Sequence, residues 1–268
     1  MNMQNKKQFL FVAILLAALS AVPAVFASGA AEKGSGSIEN IILNHKDFDA
    51  VTISGIDQFE IRLGEGYAVS LSGDDNILRK VQVEQRGETL SLILSEAHKF
   101  TPTTLKAVVE IPSLDKLIVE ARSKGVLMGR AHTGNLDIIV TSGASLELHD
   151  LRVDKSLVKV SASGMVSGYL HADDLALQVN SAGAVLEGGE ADYLSVFASN
   201  AYVEINDFFI NGASLDFRNG SSGAVYMKDA SLDRTASTTR VTLRDESSLT
   251  LVTEGNISDD IEADSYLY

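Results

Sequence analysis

The sequence predicts an all-β chain folded as a right-handed parallel β-helix, or solenoid, of about seven coils behind an irregular, strand-rich N-terminal cap. Three observations predict it. A pattern of about 20 residues recurs from Leu117 onward. Within each copy apolar residues fall at alternate positions, the period of a β-strand. Each copy also carries a run of Ser, Ala and Gly at its middle, where two walls converge in a tight corner. Composition narrows the function. Of 268 residues 45% are hydrophobic, enough for a core, so disorder is excluded as the main state. Cys is 0, which excludes disulfides, thiolate metal sites and a cysteine nucleophile. Lys+Arg is 22 against Asp+Glu 36, a net charge of −14 with no basic run, which argues against nucleic-acid binding.

The first element is an address. Lys6 and Lys7 precede the wholly apolar stretch Phe9–Leu19, and small residues follow through Ala27. This order reads as a secretory signal peptide, residues 1–27, cleaved after Ala27. The competing reading is an uncleaved anchor, which Ser20 and Pro23 weaken. Cleavage leaves no membrane span and lowers the net charge to −16, because both lysines are lost with the peptide. Residues 28–37, with Ala30–Gly36 reading AAEKGSG, form a short flexible linker.

Residues 38–268 read as a single domain, less regular over 38–114, regular over 115–255, with a C-terminal tail at 256–268. In the first part Val51-x-Ile53, Phe59-x-Ile61-x-Leu63, Val69-x-Leu71, Val81-x-Val83, Leu90-x-Leu92-x-Leu94 and Ala107-x-Val109-x-Ile111 alternate as strands. Gln85–Glu88 reads as the hairpin turn between two of them. A solenoid needs an end cover, and this segment supplies it.

In the regular part Leu127, Leu146, Val166, Val185, Val203 and Val225 anchor the register, 19, 20, 19, 18 and 22 residues apart. Counting back by twos aligns Gly125, Ala144, Gly164, Gly183, Ala201 and Gly223, and farther back Val140, Val160, Val179 and Phe197. Each copy is a strand, a bend and a second strand, and equal positions stack from coil to coil. Gly164 and Gly183 are expected at positive φ, with Asn200 standing in where Gly is absent. Leu249 fits a seventh copy. The alternative is an antiparallel sandwich with coincidental spacing. Parallel crossovers are right-handed in about 98% of cases, which fixes the expected hand.

The corners Thr141–Leu148 (TSGASLEL), Ser161–Val166 (SASGMV) and Ser181–Val185 (SAGAV) resemble the repeats of the putative auto-transporter adhesin, head GIN domain family. So do the lead-in Phe48–Gly55 and the stretch Ala107–Leu117. The likeness covers roughly residues 45–255 and departs from the pattern at Ala198–Ala201 and in the insert Lys228–Arg240. It implies an exported, periplasmic, outer-envelope-associated or extracellular β-solenoid of bacterial origin, with no catalytic residues to carry over. The expected role is non-enzymatic: adhesin-like binding or envelope structure. The expected partner is a protein or glycan of the cell envelope, with homo-oligomers open. No translocator barrel follows, so self-secretion is not expected.

Few residues suggest chemistry. His45, His98, His132, His149 and His171 form no close pair, although the last three follow second strands and are expected along one edge. Asp150, Asp207 and Asp229, and separately Asp173 with Asp192, are expected in acidic columns where Ca²⁺ would relieve repulsion. No Gly-Gly-x-Gly-x-Asp motif accompanies them, so a solvated acidic edge is the expectation, with no metal, cofactor or catalytic residue assigned. The alternative function is a polysaccharide-processing β-helix enzyme, a lyase or hydrolase. Asp173-Asp174 and Asp259-Asp260 are adjacent in sequence, and neighbours on a strand face opposite ways, so neither forms an acid/base pair. Finally, Ile118, Ile139, Leu157, Leu194, Val196, Met165, Leu186, Tyr202 and Tyr226 are expected to point outward, on faces that the cap or another chain would cover.

Overall fold

The computed structural model describes residues 32–95, 104–129, 133–229, 237–254, 257–263 and 266–267. The signal peptide, His98, His132 and most of the insert lie outside the described residues. Among the described residues the chain is all-β apart from one helical turn. In order come β1 (Ile38–Leu43), β2 (Ala50–Ser54), β3 (Gln58–Leu63), β4 (Ala68–Asp74), the turn α1 (Asp75–Leu78), β5 (Val81–Arg86), β6 (Thr89–Leu94) and β7 (Lys106–Ile111). Then follow β8 (Lys116–Glu120), β9 (Lys124–Met128), β10 (Thr133–Val140), β11 (Ser145–Ser161), β12 (Met165–Asn180), β13 (Gly183–Ser199) and β14 (Tyr202–Arg218). The last are β15 (Ser222–Asp229), β16 (Ser237–Leu243), β17 (Ser248–Glu254), β18 (Ile257–Ala263) and β19 (Tyr266–Leu267). Every alternating segment read from residues 51–111 is a strand, with its apolar members turned inward. Gly87-Glu88 closes the β5–β6 hairpin.

The repeating unit is a pair of strand legs joined at a corner, stacked in parallel on the next unit. First legs pair in the order β6, β2, β8, β10, then the second halves of β11 to β14, then β16 and β18. Second legs pair in the order β7, β3, β9, the first halves of β11 to β14, β15, β17 and β19. The N-terminal part is therefore built of the same unit but out of chain order. The β2–β3 unit lies between the β6–β7 unit and the β8–β9 unit. After Ile111 the chain crosses over it, and five residue steps cover the two rung spacings of about 4.8 Å each. Asp115 N–H donates to Asp49 O on the way, at 2.7 Å. The end is closed not by a separate cap but by β4, antiparallel on β7, with β1 beyond it, and by β5, antiparallel on β6.

Residues 32–37, inside the span read as a linker, are tied down. Gly36 N–H donates to the buried Asp74 carboxylate at 2.7 Å, Ser35 N–H to Asn76 Oδ1 at 3.0 Å, and Glu32 pairs with Lys80.

The corners set the register. Ala121-Arg122, Ser142-Gly143, Ala162-Ser163, Asn219-Gly220 and Asp245-Glu246 each turn through two left-handed residues. The corners at Ser181 and Asn200 use a single one. Non-glycine residues accept this conformation at about 1–2 kcal/mol. The strand ladder continues through the bend and holds them there: Arg122 N–H donates to Ser142 O, Gly143 to Ala162 O, Ser163 to Ser181 O, Ser181 to Ser199 O and Asn200 to Arg218 O, at 2.7–3.2 Å. Gly164 and Gly183 are not at positive φ, contrary to expectation. They are small because something comes close. A Cβ on Gly164 would sit 2.7 Å from Val140 O, and one on Gly183 would sit 2.6 Å from Met165 Cε.

The two short corners each drop one residue and move the register that an even count implies. Val166 pairs with Ala184, not Val185, and Val179 with Ala198, not Phe197. Leu127 and Val225 also leave the anchor column, for Leu146 pairs with Gly125 and Val203 with Gly223. As a result Leu186, Leu194 and Val196 are buried, not outward. Val140, Val160 and Val179 do stack as read. Inward residues of both legs, with Leu151, Leu170, Phe208 and Met227 at the second bend, form one core. Large rings meet glycines across it: the Phe59, Phe217 and Phe208 side chains occupy the space that a Cβ on Gly125, Gly223 and Gly189 would need.

Candidate binding surface

Three outward faces result, each a set of columns running from coil to coil. On the first-leg face Lys155, Asp174, Tyr193 and Gly212 form one column, and Leu157, Ala176, Ser195 and Ser214 the next. Beyond them stand Lys159, Gln178, Phe197 and Asp216. Small residues thus line the middle of this face, and a trough of about 570 Å³ runs along it. Tyr193 and Phe197 flank Ser195, with 46% and 38% of their surfaces exposed. Arg218 grips Asp216 with two hydrogen bonds, at 2.8 and 2.6 Å, and lies 5.6 Å from the centre of the Phe197 ring. Lys155 pairs with Asp174 at 2.5 Å. This pairing raises the Lys155 pKa.

The second-leg face carries Met165, Gly183, Tyr202 and Ser222 in one column. The hydroxyl of Tyr202 donates to Glu204, which also accepts from Asn206 Nδ2 at 3.0 Å. The first of these bonds, then the second, hold the Glu204 carboxyl below its usual range. Tyr169 packs over Gly188, and the charge of Glu187 beside it raises its pKa. Bulges after Leu148, Gly168 and Ile205 take the chain around the second bend.

Past that bend a third, narrow face holds one outward residue per coil: Arg152, His171, Glu190, Phe209 and Lys228. His171 stands between Asp150 Oδ1 at 3.4 Å and Glu190 Oε1 at 3.3 Å, and Arg152 reaches Glu190 at 3.2 Å. Lys228 pairs with Asp207 at 2.8 Å and lies over the Phe209 ring.

The expected acidic columns are partly assembled. Asp173 and Asp192 do neighbour one another, between the Ala172–Ala191 and Asp174–Tyr193 pairs. Asn211 Nδ2 donates to Asp192 at 2.9 Å. Asp150 and Asp207 sit at left-handed bulge positions three coils apart, and Asp229 pairs with Ile210 in another column, so these three do not converge. Asp173 and Asp174 are both exposed, because the chain bends there and strand alternation fails. The side chains of Asp259 and Asp260 lie outside the described residues. His149 pairs with Met128 and His171 with Arg152, so no common histidine edge forms between them. His45 meets Gln85 instead. Among the described residues no three His, Asp or Glu side chains form a group that could hold a metal ion. The sequence reading missed Tyr193, Phe197, Phe209 and Tyr169 as exposed rings. Their signal was a ring at alternate positions beside small residues, masked by the slipped register.

Residues 47–239 match the family model described as putative auto-transporter adhesin, head GIN domain. Among solved structures, the chain resembles a putative adhesin from Parabacteroides distasonis at 14% identity and TM-score 0.73, over 88% of this chain and 98% of that one. It resembles a putative adhesin from Parabacteroides merdae at 15% identity and TM-score 0.72, with the same coverage. It also resembles a putative lipid binding protein from Parabacteroides distasonis at 15% identity and TM-score 0.65, over 88% of this chain and 99% of that one. These likenesses are of fold. No curated protein matches the sequence.

Proposed function

Because the chain belongs to the putative auto-transporter adhesin, head GIN domain family, we propose that it is an exported, non-enzymatic binding protein of the cell envelope. In this reading residues 1–27 direct export and are removed, and residues 38–268 form one right-handed solenoid domain whose regular part has seven coils. The hand follows from the strong preference of parallel crossovers. One observation carries the binding role. Tyr169, Tyr193, Phe197, Tyr202, Phe209 and Tyr226 are each 38–47% exposed, all on β12 to β15. Rings at this density on outward faces cost solvation unless a partner covers them, and they supply contact area with little side-chain entropy to lose.

The test is co-sedimentation of the exported full chain with isolated bacterial envelopes, with N-terminal sequencing of the same material. The expected results are saturable sedimentation and a mature chain beginning at Ser28. Sedimentation that does not saturate, or none, overturns the binding role. Reducing ends or unsaturated products released from added polysaccharide would establish the lyase or hydrolase alternative instead.

A further inference from the structure

We propose that the trough on the first-leg face binds a neutral, linear polysaccharide laid across the coils. This rests on the binding role above and names its ligand class.

The first argument is shape. The floor is the column Leu157, Ala176 and Ser195, the Tyr193 ring stands at one end of the trough, and Phe197 follows on the same strand beyond Ser195. The two rings share one strand face with a single outward residue, Ser195, between them. A flat, narrow chain fits between them with its C–H faces against the aromatic faces. Its long axis runs from coil to coil at about 4.8 Å per rung, close to the rise of one sugar along an extended β-linked chain.

The second argument is what the trough offers for hydrogen bonding. Its strands are interior to a parallel ladder, so their backbone N–H and C=O groups are already paired. An extended peptide, which binds a sheet through free backbone groups at an edge, finds none here. The lining also offers the hydroxyl of Ser195, the amides of Asn135 and Gln178 and the carboxylate of Asp137, which suit a partner made of hydroxyls.

The third argument is charge. The chain carries −14, yet the lining of the trough is nearly balanced, with Lys155 against Asp137 and Asp174, and Lys155 and Asp174 in contact. A balanced surface favours neither a polyanion nor a polycation.

The experiment is native affinity electrophoresis of the full exported chain in gels containing hydroxyethyl cellulose, galactomannan, dextran or polygalacturonate. The parent is expected to be retarded by at least one of the three neutral polymers. Tyr193→Ala/Phe197→Ala is expected to raise the dissociation constant at least tenfold at an unchanged melting temperature. Ser195→Trp, which fills the floor, should do the same without removing either ring. Retardation by polygalacturonate alone, none by any polymer, or equal retardation of parent and both variants overturns the proposal. If the parent still co-sediments with envelopes in any of those cases, the binding role stands and only its ligand class and site fall.

Discussion

At Gly223 the scale of a single methyl group decides whether two coils fit. Phe217 from the first leg lies with its Cε1 2.9 Å from where a Cβ would be, and the Val203 carbonyl oxygen at 2.2 Å. Gly223→Ala is therefore expected to destabilise the protein by about 1–3 kcal/mol, since a buried ring and a laddered carbonyl cannot both move aside. Urea denaturation measures this, and a midpoint equal to the parent's would show that the core yields there. A second residue-scale prediction concerns pH. Glu204 has a depressed pKa because the Tyr202 hydroxyl and the Asn206 amide bond its charged form. A depressed carboxyl contributes stability above its unfolded value and loses it as pH falls through its folded value. Tyr202→Phe should cost a few tenths of a kcal/mol at pH 7, since the pair is exposed, and less at pH 3, because the contribution is lost as pH falls through the folded value of Glu204. Urea midpoints at the two pH values check this; an equal deficit at both would mean the hydroxyl acts by some other contact.

At the scale of the element, the corner is where sequence and structure agree in kind and differ in detail. The small-residue runs were legible as bends because nothing larger packs there. Which residue turns left-handed was not legible: Ala162 and Ser163 do so although Gly164 follows them, because the corner-to-corner hydrogen bonds fix their conformation, while Gly164 yields room to a neighbouring carbonyl. Nor was the length of the bend. One residue fewer at Ser181 and Asn200 exchanged the inward and outward assignments of Leu194 and Phe197, since each register step reverses a strand's faces. Buried serines complete the corners. Ser221 Oγ donates to Arg218 O at 2.6 Å and accepts Ala201 N–H at 3.2 Å, and Ser247 Oγ accepts Ser221 N–H at 3.1 Å. Ser221→Ala should leave Ala201 N–H unpaired and cost about 1–3 kcal/mol, whereas an exposed serine such as Ser222 should tolerate Ala with little change. Equal thermal denaturation midpoints for the two variants would deny the corner serines this role.

At the scale of the whole molecule, the strand content and parallel repeat were readable because local alternation is written in every copy. The candidate trough was readable only as composition, since it depends on which columns adjoin. The position of β2 and β3 was not readable at all. Nothing local distinguishes a strand whose partners come next from one whose partners come later, and both neighbours of this unit lie downstream, one in β6–β7 and one in β8–β9.

That arrangement also sets an order of assembly. A chain that emerges from its N-terminus delivers β2 and β3 before anything exists for them to pair with. No stretch of chain that stops short of Met128 contains both of their partners in full. Each unit after β9, by contrast, finds its template already in place. The protein has a beginning that must wait for its own continuation, and an end that can grow one turn at a time.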